Sequence, residues 1–336
     1  ERSRLEQTLA DQLVERVLPI PGSSEDERVG CVLLGDLEPP EMGVLDLVEL
    51  PELVQVVDCL PHHAGSSKIH RAAQSRVALA VVLLFAGNHW IGAWFTPIVW
   101  SGYILFMDGL VARWTGQSYL TTRRVELVLV ALASVASWWL FELYNAPRFW
   151  RGGKDLSGLW WQYHNLEPNP FLRRIGYDWS FATVFPGLFL TAEALKARSF
   201  AGLTGLRPFR LPEWGARLSV VLGAISALLP LLVVSAWLVP LVWVAYALLL
   251  EPINYWRGSP SWLREVEAGD YRTLASLLGS GAICGFLWEF WNYWALIKWT
   301  YTLPYWGEVK LFEMPVPGYS GFPPFALEAF AMYHFL

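Results

Sequence analysis

The stretch Pro97-Ile-Val-Trp-Ser-Gly-Tyr-Ile-Leu-Phe-Met-Asp108 recurs as Pro240-Leu-Val-Trp-Val-Ala-Tyr-Ala-Leu-Leu-Leu-Glu251, so Pro, Val, Trp, Tyr, Leu and a terminal acid keep one constant offset. A unit used twice must fold the same way twice and pack against its copy, which restricts architecture more than any single motif. The matches continue in unchanged order. Phe141-Glu142-Leu143-Tyr144-Asn145 answers Trp288-Glu289-Phe290-Trp291-Asn292, and Trp161-Gln162-Tyr163 answers Trp299-Thr300-Tyr301. Gly176-Tyr177 then answers Gly318-Tyr319, and Phe181-Ala182 answers Phe325-Ala326.

The repeated unit is hydrophobic, and so is the chain: 54% hydrophobic residues, 16% charged and 20 Trp in 336 residues. Soluble domains carry about a quarter charged residues, so the sequence predicts an all-α polytopic membrane protein. Apolar segments fall at 77–95, 97–113, 125–145, 177–195, 218–238, 240–256, 273–295 and 318–336. At 1.5 Å per residue each covers most of a hydrocarbon core of roughly 30 Å. The expectation is about eight transmembrane helices, built as a tandem parallel duplication of a four-helix unit: residues 70–205 and 206–336. Pro97 and Pro240 fit the first turn of a helix, where the missing N–H has no intrahelical acceptor.

Residues 1–60 hold 14 of the 30 acids and only 4 of the 25 bases, so that segment is near −10 and the remainder near +5. With Leu5, Leu9 and Leu13 at helical spacing, residues 1–69 read as an acidic cytoplasmic helical segment and linker. No secretory signal pattern opens the sequence. Fourteen Lys and Arg fall in loops on the side of this segment and seven on the other, which places both ends of the chain in the cytoplasm of a bacterial-type inner membrane. The connections 146–176 and 296–317, rich in Trp, Tyr and Pro, then lie outside.

A carboxylate in hydrocarbon costs at least about 2.5 to 3.5 kcal/mol, so an acid within a span must face the bundle interior, a partner or water. Asp108 and Glu251 take equivalent places near the inner ends of the second helices. Glu142 with Asn145, and Glu289 with Asn292, lie three apart on one helix face near the outer ends of the third helices. Glu328 sits within the last span. Two readings stay open for these groups: interhelical hydrogen bonding, or a polar pocket in which a buried carboxyl acts as acid or holds a ligand's polar end.

Cys31, Cys59 and Cys284 have no paired spacing, and of six His only His89 and His334 fall in spans, at opposite ends. No metal and no cofactor beyond bound lipid is expected, and there is no nucleic-acid signature, phosphate loop or nucleophile elbow.

The order Trp288-Glu289, Trp299-Thr300-Tyr301, Gly318-Tyr319, Pro323-Pro324, Glu328 resembles the membrane-embedded lycopene cyclase domains, which are themselves tandem duplications. In that family an acid follows Trp on one helix and a Trp-x-Tyr pair occupies the loop. A Pro-x-Glu-Glu element then opens the next helix and supplies acids that protonate a polyene. Here Pro324 is followed by Phe325-Ala326-Leu327-Glu328, and Phe181-Ala182-Thr183 in the first copy carries no acid. The overall likeness is closer to uncharacterised bacterial multispanning proteins.

Three functions follow as expectations. An isoprenoid or other lipid enters between the copies, with Glu142, Glu289 or Glu328 as acid and Asn145, Asn292, Trp161, Tyr163, Trp299, Tyr301, Asp108 and Glu251 as substrate contacts. Alternatively the chain is a noncatalytic subunit packed against other membrane proteins, or a transporter that couples Asp108 and Glu251 to proton or cation movement.

Overall fold

The computed structural model describes residues 89–152, 160–233, 235–302, 304 and 308–336, all within the unit Lys68–Leu336. The acidic segment 1–69, most of the expected span 77–95, Cys31, Cys59 and Lys154 lie outside the described residues.

A short α1 (His89–Ala93) leads into α2 (Phe95–Thr115), which carries the first copy of the repeated motif and ends on Gly116 in the left-handed conformation, φ 73°. Helix α3 (Arg124–Gly152) is followed by β1 (Trp161–His164), α4 (Pro170–Ala182) and α5 (Val184–Ala197). Then come α6 (Glu213–Leu232), a 3₁₀ turn (Ala236–Leu238), α7 (Val239–Val242), α8 (Ala245–Arg257) and α9 (Trp262–Glu267). The last elements are α10 (Arg272–Trp294), β2 (Lys298–Tyr301), β3 (Lys310–Leu311), β4 (Met314–Pro315), a 3₁₀ turn (Val316–Gly321) and α11 (Phe322–Phe335).

The protein is a helical membrane protein: Phe95–Thr115, Arg124–Asn145, Glu213–Leu232, Ala236–Arg257 and Arg272–Trp294 are five stretches long and apolar enough to cross a bilayer. They coincide with five of the segments read from the sequence. The segment 177–195 is instead divided at Thr183 between α4 and α5, and 318–336 begins as a 3₁₀ turn before α11. Helices α5 and α11 have 14 residues each. At 1.5 Å per residue that is about 21 Å, short of a full crossing.

The sequence places its breakers where the packing can absorb them. Pro252 inside α8 cannot donate to the carbonyl four residues back. The freed Leu248 carbonyl accepts from Ser219 Oγ on α6 at 2.8 Å. Helix α10 meets α11 closely because a Cβ at Gly281 would lie 2.3 Å from the Phe322 carbonyl oxygen. The packing is crosswise: α10 packs on α11 and on α5, while α3 packs on α5 and on α11.

Strands β1 and β2 join the two halves in an antiparallel ladder, with Trp161 opposite Tyr301, Gln162 opposite Thr300 and Tyr163 opposite Trp299. The two Trp-x-Tyr triplets are therefore paired with each other about their own central residues.

Candidate functional site

Beneath that ladder lies a cavity of about 690 Å³, lined by nine of the chain's 20 tryptophans. Its size falls in the range of small-molecule sites, and its walls are overwhelmingly apolar. The repeated motif builds two facing walls. Trp100 on α2 packs edge-on against Trp288 of α10, ring centres 5.5 Å apart, and Trp243, just before α8, stacks on Phe141 of α3 at 5.4 Å. Phe141 and Trp288 are themselves matched positions in the sequence, so each half offers its motif tryptophan to the same place on the other. Trp138 and Trp288 stack across the seam at 5.1 Å and 24°. Gly187 on α5 lets the Trp100 ring lie flat against its backbone, since a Cβ there would sit 3.0 Å from Cζ3.

Tyr163 and Tyr301 reach the cavity from the two strands, and each has a carboxyl behind it. Tyr163 donates to Glu142 Oε1 at 2.5 Å, and Tyr301 donates to Glu289 Oε1 at 2.7 Å. Around the first acid, Trp161 Nε1 (3.2 Å) and Trp138 Nε1 (3.3 Å) also donate to Oε1. In the second, Trp299 Nε1 donates to the Tyr301 oxygen at 2.7 Å, and Glu289 Oε2 is buried without a partner. Burial first, and then the neighbouring carboxyl, raise the pKa of Tyr163 and Tyr301 well above that of an ordinary phenol. Both stay protonated donors at any physiological pH.

Asn145 and Asn292 position these strands instead of facing the cavity. Asn145 Nδ2 donates to the Trp161 carbonyl and its Oδ1 accepts from Trp160 N, both at 2.9 Å. Asn292 does the same to Trp299, donating to its carbonyl at 2.8 Å and accepting from its N–H at 2.9 Å. The spacing Glu-x-x-Asn thus puts on one helix face a carboxyl that takes the tyrosine and an amide that takes the strand backbone.

Asp108 and Glu251 are brought to neither of these groups. Asp108 accepts from Ser118 Oγ and Tyr119 N, both at 2.6 Å, and Glu251 accepts from Ser261 Oγ at 2.6 Å and Leu263 N at 3.0 Å. Each ties down the loop after its own helix. Glu328 is fully buried on α11 and accepts from Tyr246 N at 2.7 Å. That N–H belongs to the first turn of α8, where the break after Val242 leaves it without an intrahelical acceptor. Nearby, Tyr144 donates to the Ala227 carbonyl at 3.0 Å and lies 2.8 Å from the Tyr246 hydroxyl, joining α3 to α6 and α8.

Sequence reasoning missed Trp100, Trp243, Trp138 and Trp288 as cavity walls. The signal was present in the first two, since a tryptophan retained in both copies of a motif has a shared place to fill. Among the described residues no three His, Cys, Asp or Glu side chains gather as metal donors. Compared with family models, curated proteins and solved structures, the chain matches none. Its function is therefore argued from the site alone.

Proposed function

We propose that the chain is a tandem duplication whose two halves share one orientation in an inner membrane and hold a hydrophobic ligand, an isoprenoid or related lipid, on the seam between them. The observation that carries the ligand reading is the aromatic cavity itself, with its facing Trp100 and Trp243 walls and its Tyr163–Glu142 and Tyr301–Glu289 pairs. The duplication is supported by the self-paired Trp-x-Tyr ladder, the matched roles of Asn145 and Asn292, and the matched roles of Asp108 and Glu251. In this reading each repeat has four helices, the fourth being half-length, and the predominance of Lys and Arg opposite the strands puts the strand side outside.

Binding is the primary activity. The same geometry would supply acid for a conversion when the Glu142 or Glu289 carboxyl is protonated: the phenol passes its proton to the ligand and takes the carboxyl's proton in its place, leaving a carboxylate behind the restored phenol. A stacked indole pair at the centre suits a flat or unsaturated chain, and indole faces stabilise positive charge that develops on it.

The test is purification from native membranes in mild detergent with mass spectrometry of the extracted lipid. We expect one apolar species near stoichiometric amount, and a fall in its occupancy by roughly tenfold in Trp138→Ala/Trp288→Ala, in line with the loss of two large aromatic contacts. Equal occupancy in a folded double variant would overturn the proposal.

A further inference from the structure

One half of the cavity lining carries charge and the other does not. Among the described residues that line the chamber, the charged side chains are Glu167, just before α4, and Arg173, within it. Glu167 is engaged, its carboxylate accepting from Asn169 N at 3.1 Å. Arg173 has no ion pair among the described residues, and its guanidinium makes one long contact of 3.5 Å, to the Glu167 carbonyl. Its neighbour Arg174 is committed elsewhere, paired with Asp178 at 2.7 Å and lying over the Trp139 ring.

Tyr177 stands four residues on from Arg173, on the same face of α4, and it too lines the cavity. Helical side chains lean toward the N-terminus, so this long phenol reaches back toward the level of Arg173. Its hydroxyl has no hydrogen-bond partner among the described residues and is not sealed by packing. The two groups act on each other: burial first, then the Glu142 carboxyl, push the Tyr177 phenol up to about 12, and the Arg173 charge pulls it the other way. The Tyr177 ring packs edge-on against Tyr163, centres 5.2 Å apart, which sets this cation and hydroxyl beside the Tyr163–Glu142 pair.

The duplicate half offers neither. The offset that pairs Gly176-Tyr177 with Gly318-Tyr319 sets Arg173 against Pro315. The Tyr319 hydroxyl is committed, donating to the Leu311 carbonyl at 3.0 Å. In that half Trp237 lines the cavity and is 63% exposed, so the chamber reaches the surface there.

We infer that the ligand is a single-chain lipid with a carboxylate head, the head held by Arg173 and the Tyr177 hydroxyl and the chain lying along the tryptophan walls toward Trp237. A cation and a neighbouring hydroxyl, both unengaged on an apolar wall, suit an anion with acceptors for each. One guanidinium balances one negative charge, and the Glu142 carboxyl beside it opposes a second. A monoanion therefore fits better than a phosphate monoester, which carries about −1.5 to −2. A carboxylate also matches the planar fork of the guanidinium and keeps a lone pair for the phenol. This rests on the hydrophobic-ligand reading above and adds the identity of the head.

The full chain in non-ionic detergent near neutral pH is titrated with hexadecanoate, hexadecanol, hexadecyl phosphate and acetate, with bound adducts counted by native mass spectrometry. We expect hexadecanoate to bind at least about tenfold more tightly than hexadecanol, and more tightly than hexadecyl phosphate, with acetate not measurable because head and chain act together. Arg173→Gln and Tyr177→Phe each reduce hexadecanoate affinity by roughly tenfold and leave hexadecanol unchanged, which also shows that the variants fold. Arg174→Gln and Tyr319→Phe leave both unchanged. Equal affinity for hexadecanoate and hexadecanol, or a loss in these two controls as large as in Arg173→Gln, overturns the carboxylate head and leaves the hydrophobic cavity standing. Tighter binding of hexadecyl phosphate overturns the single-charge argument and the carboxylate with it. Failure of every chain-bearing probe to bind counts against both readings.

Discussion

Replacing Asn292 by Leu removes the amide that holds β2 while keeping the same branched outline of four side-chain heavy atoms, so no cavity is created and the lost hydrogen bonds dominate. Two bonds vanish, Nδ2 to the Trp299 carbonyl at 2.8 Å and Trp299 N to Oδ1 at 2.9 Å. Asn292 is fully buried, so the Trp299 N–H and carbonyl are left facing an apolar side chain. At about 1 to 3 kcal/mol for each orphaned group, the variant should lose roughly 2 to 6 kcal/mol. Asn145 makes the same two kinds of bond, to the Trp161 carbonyl and Trp160 N at 2.9 Å, and Asn145→Leu should match Asn292→Leu.

The assay is equilibrium unfolding of the detergent-solubilised protein in mixed micelles of rising sodium dodecyl sulfate content, followed by far-ultraviolet circular dichroism and tryptophan emission. A loss of about 2 to 6 kcal/mol is a change of roughly thirty-fold to more than ten-thousand-fold in the unfolding constant, well within range. The reasoning fails if Asn292→Leu stays within about 0.5 kcal/mol of wild type, the level of a neutral surface change. It fails equally if Asn145→Leu, which removes the same two kinds of bond to β1, is neutral in the same titration.

Gly281→Ala should destabilise by about 1 to 3 kcal/mol, because its Cβ meets the Phe322 carbonyl at 2.3 Å and Pro323 Cα at 2.8 Å, both backbone atoms that cannot turn aside. Gly202→Ala, with nothing within 4 Å, is the control and should be neutral or slightly stabilising in the same titration. On acidification, the Asp270 carboxylate should matter. Its hydrogen bonds to the Arg272 guanidinium, the shortest 2.6 Å, hold its pKa down to about 2. Its stabilising effect is therefore complete above the ordinary aspartate range near about 4 and is lost as pH falls toward about 2. The gap in thermal midpoint between wild type and Asp270→Asn should close over that interval, and a gap that stays constant from pH 5 to pH 2 would refute the assignment.

The helices that cross were legible because hydrophobic length is a strong signal, and five of the segments read from the sequence became long apolar helices. The division at Thr183 and the short α11 were not read from the sequence. For the first the signal was there, since Pro186 has no N–H to give the Ala182 carbonyl and sits naturally in the first turn of a new helix. The Glu-x-x-Asn spacing correctly put two polar groups on one face, yet could not say that the amide turns to the strand and the carboxyl to the tyrosine. Asp108 and Glu251 were located along their helices by position. Their partners, Ser118 and Ser261, each ten residues on, lie beyond a turn whose geometry is not written in local periodicity.

The strand ladder bears on how two halves of one orientation would use a shared site. Antiparallel pairing of Trp161-Gln162-Tyr163 with Trp299-Thr300-Tyr301 about their centres needs both triplets on the same side of the bilayer, as parallel repeats provide and inverted repeats do not. A twofold seam of the kind proposed would offer a ligand two equal halves, and equal halves give no orientation. What breaks the equality is a short set of differences on an otherwise matched wall: Arg173 against an uncharged rim, and the unengaged Tyr177 hydroxyl against that of Tyr319, which is bonded to Leu311. The dyads differ as well, for Glu142 Oε1 takes three donors while Glu289 keeps one oxygen without a partner. The matched residues would therefore set what shape fits, and the unmatched ones which end goes in first. That division can be separated by experiment, since Trp100→Ala and Trp243→Ala should weaken binding alike, whereas Tyr177→Phe and Tyr319→Phe should not be equivalent.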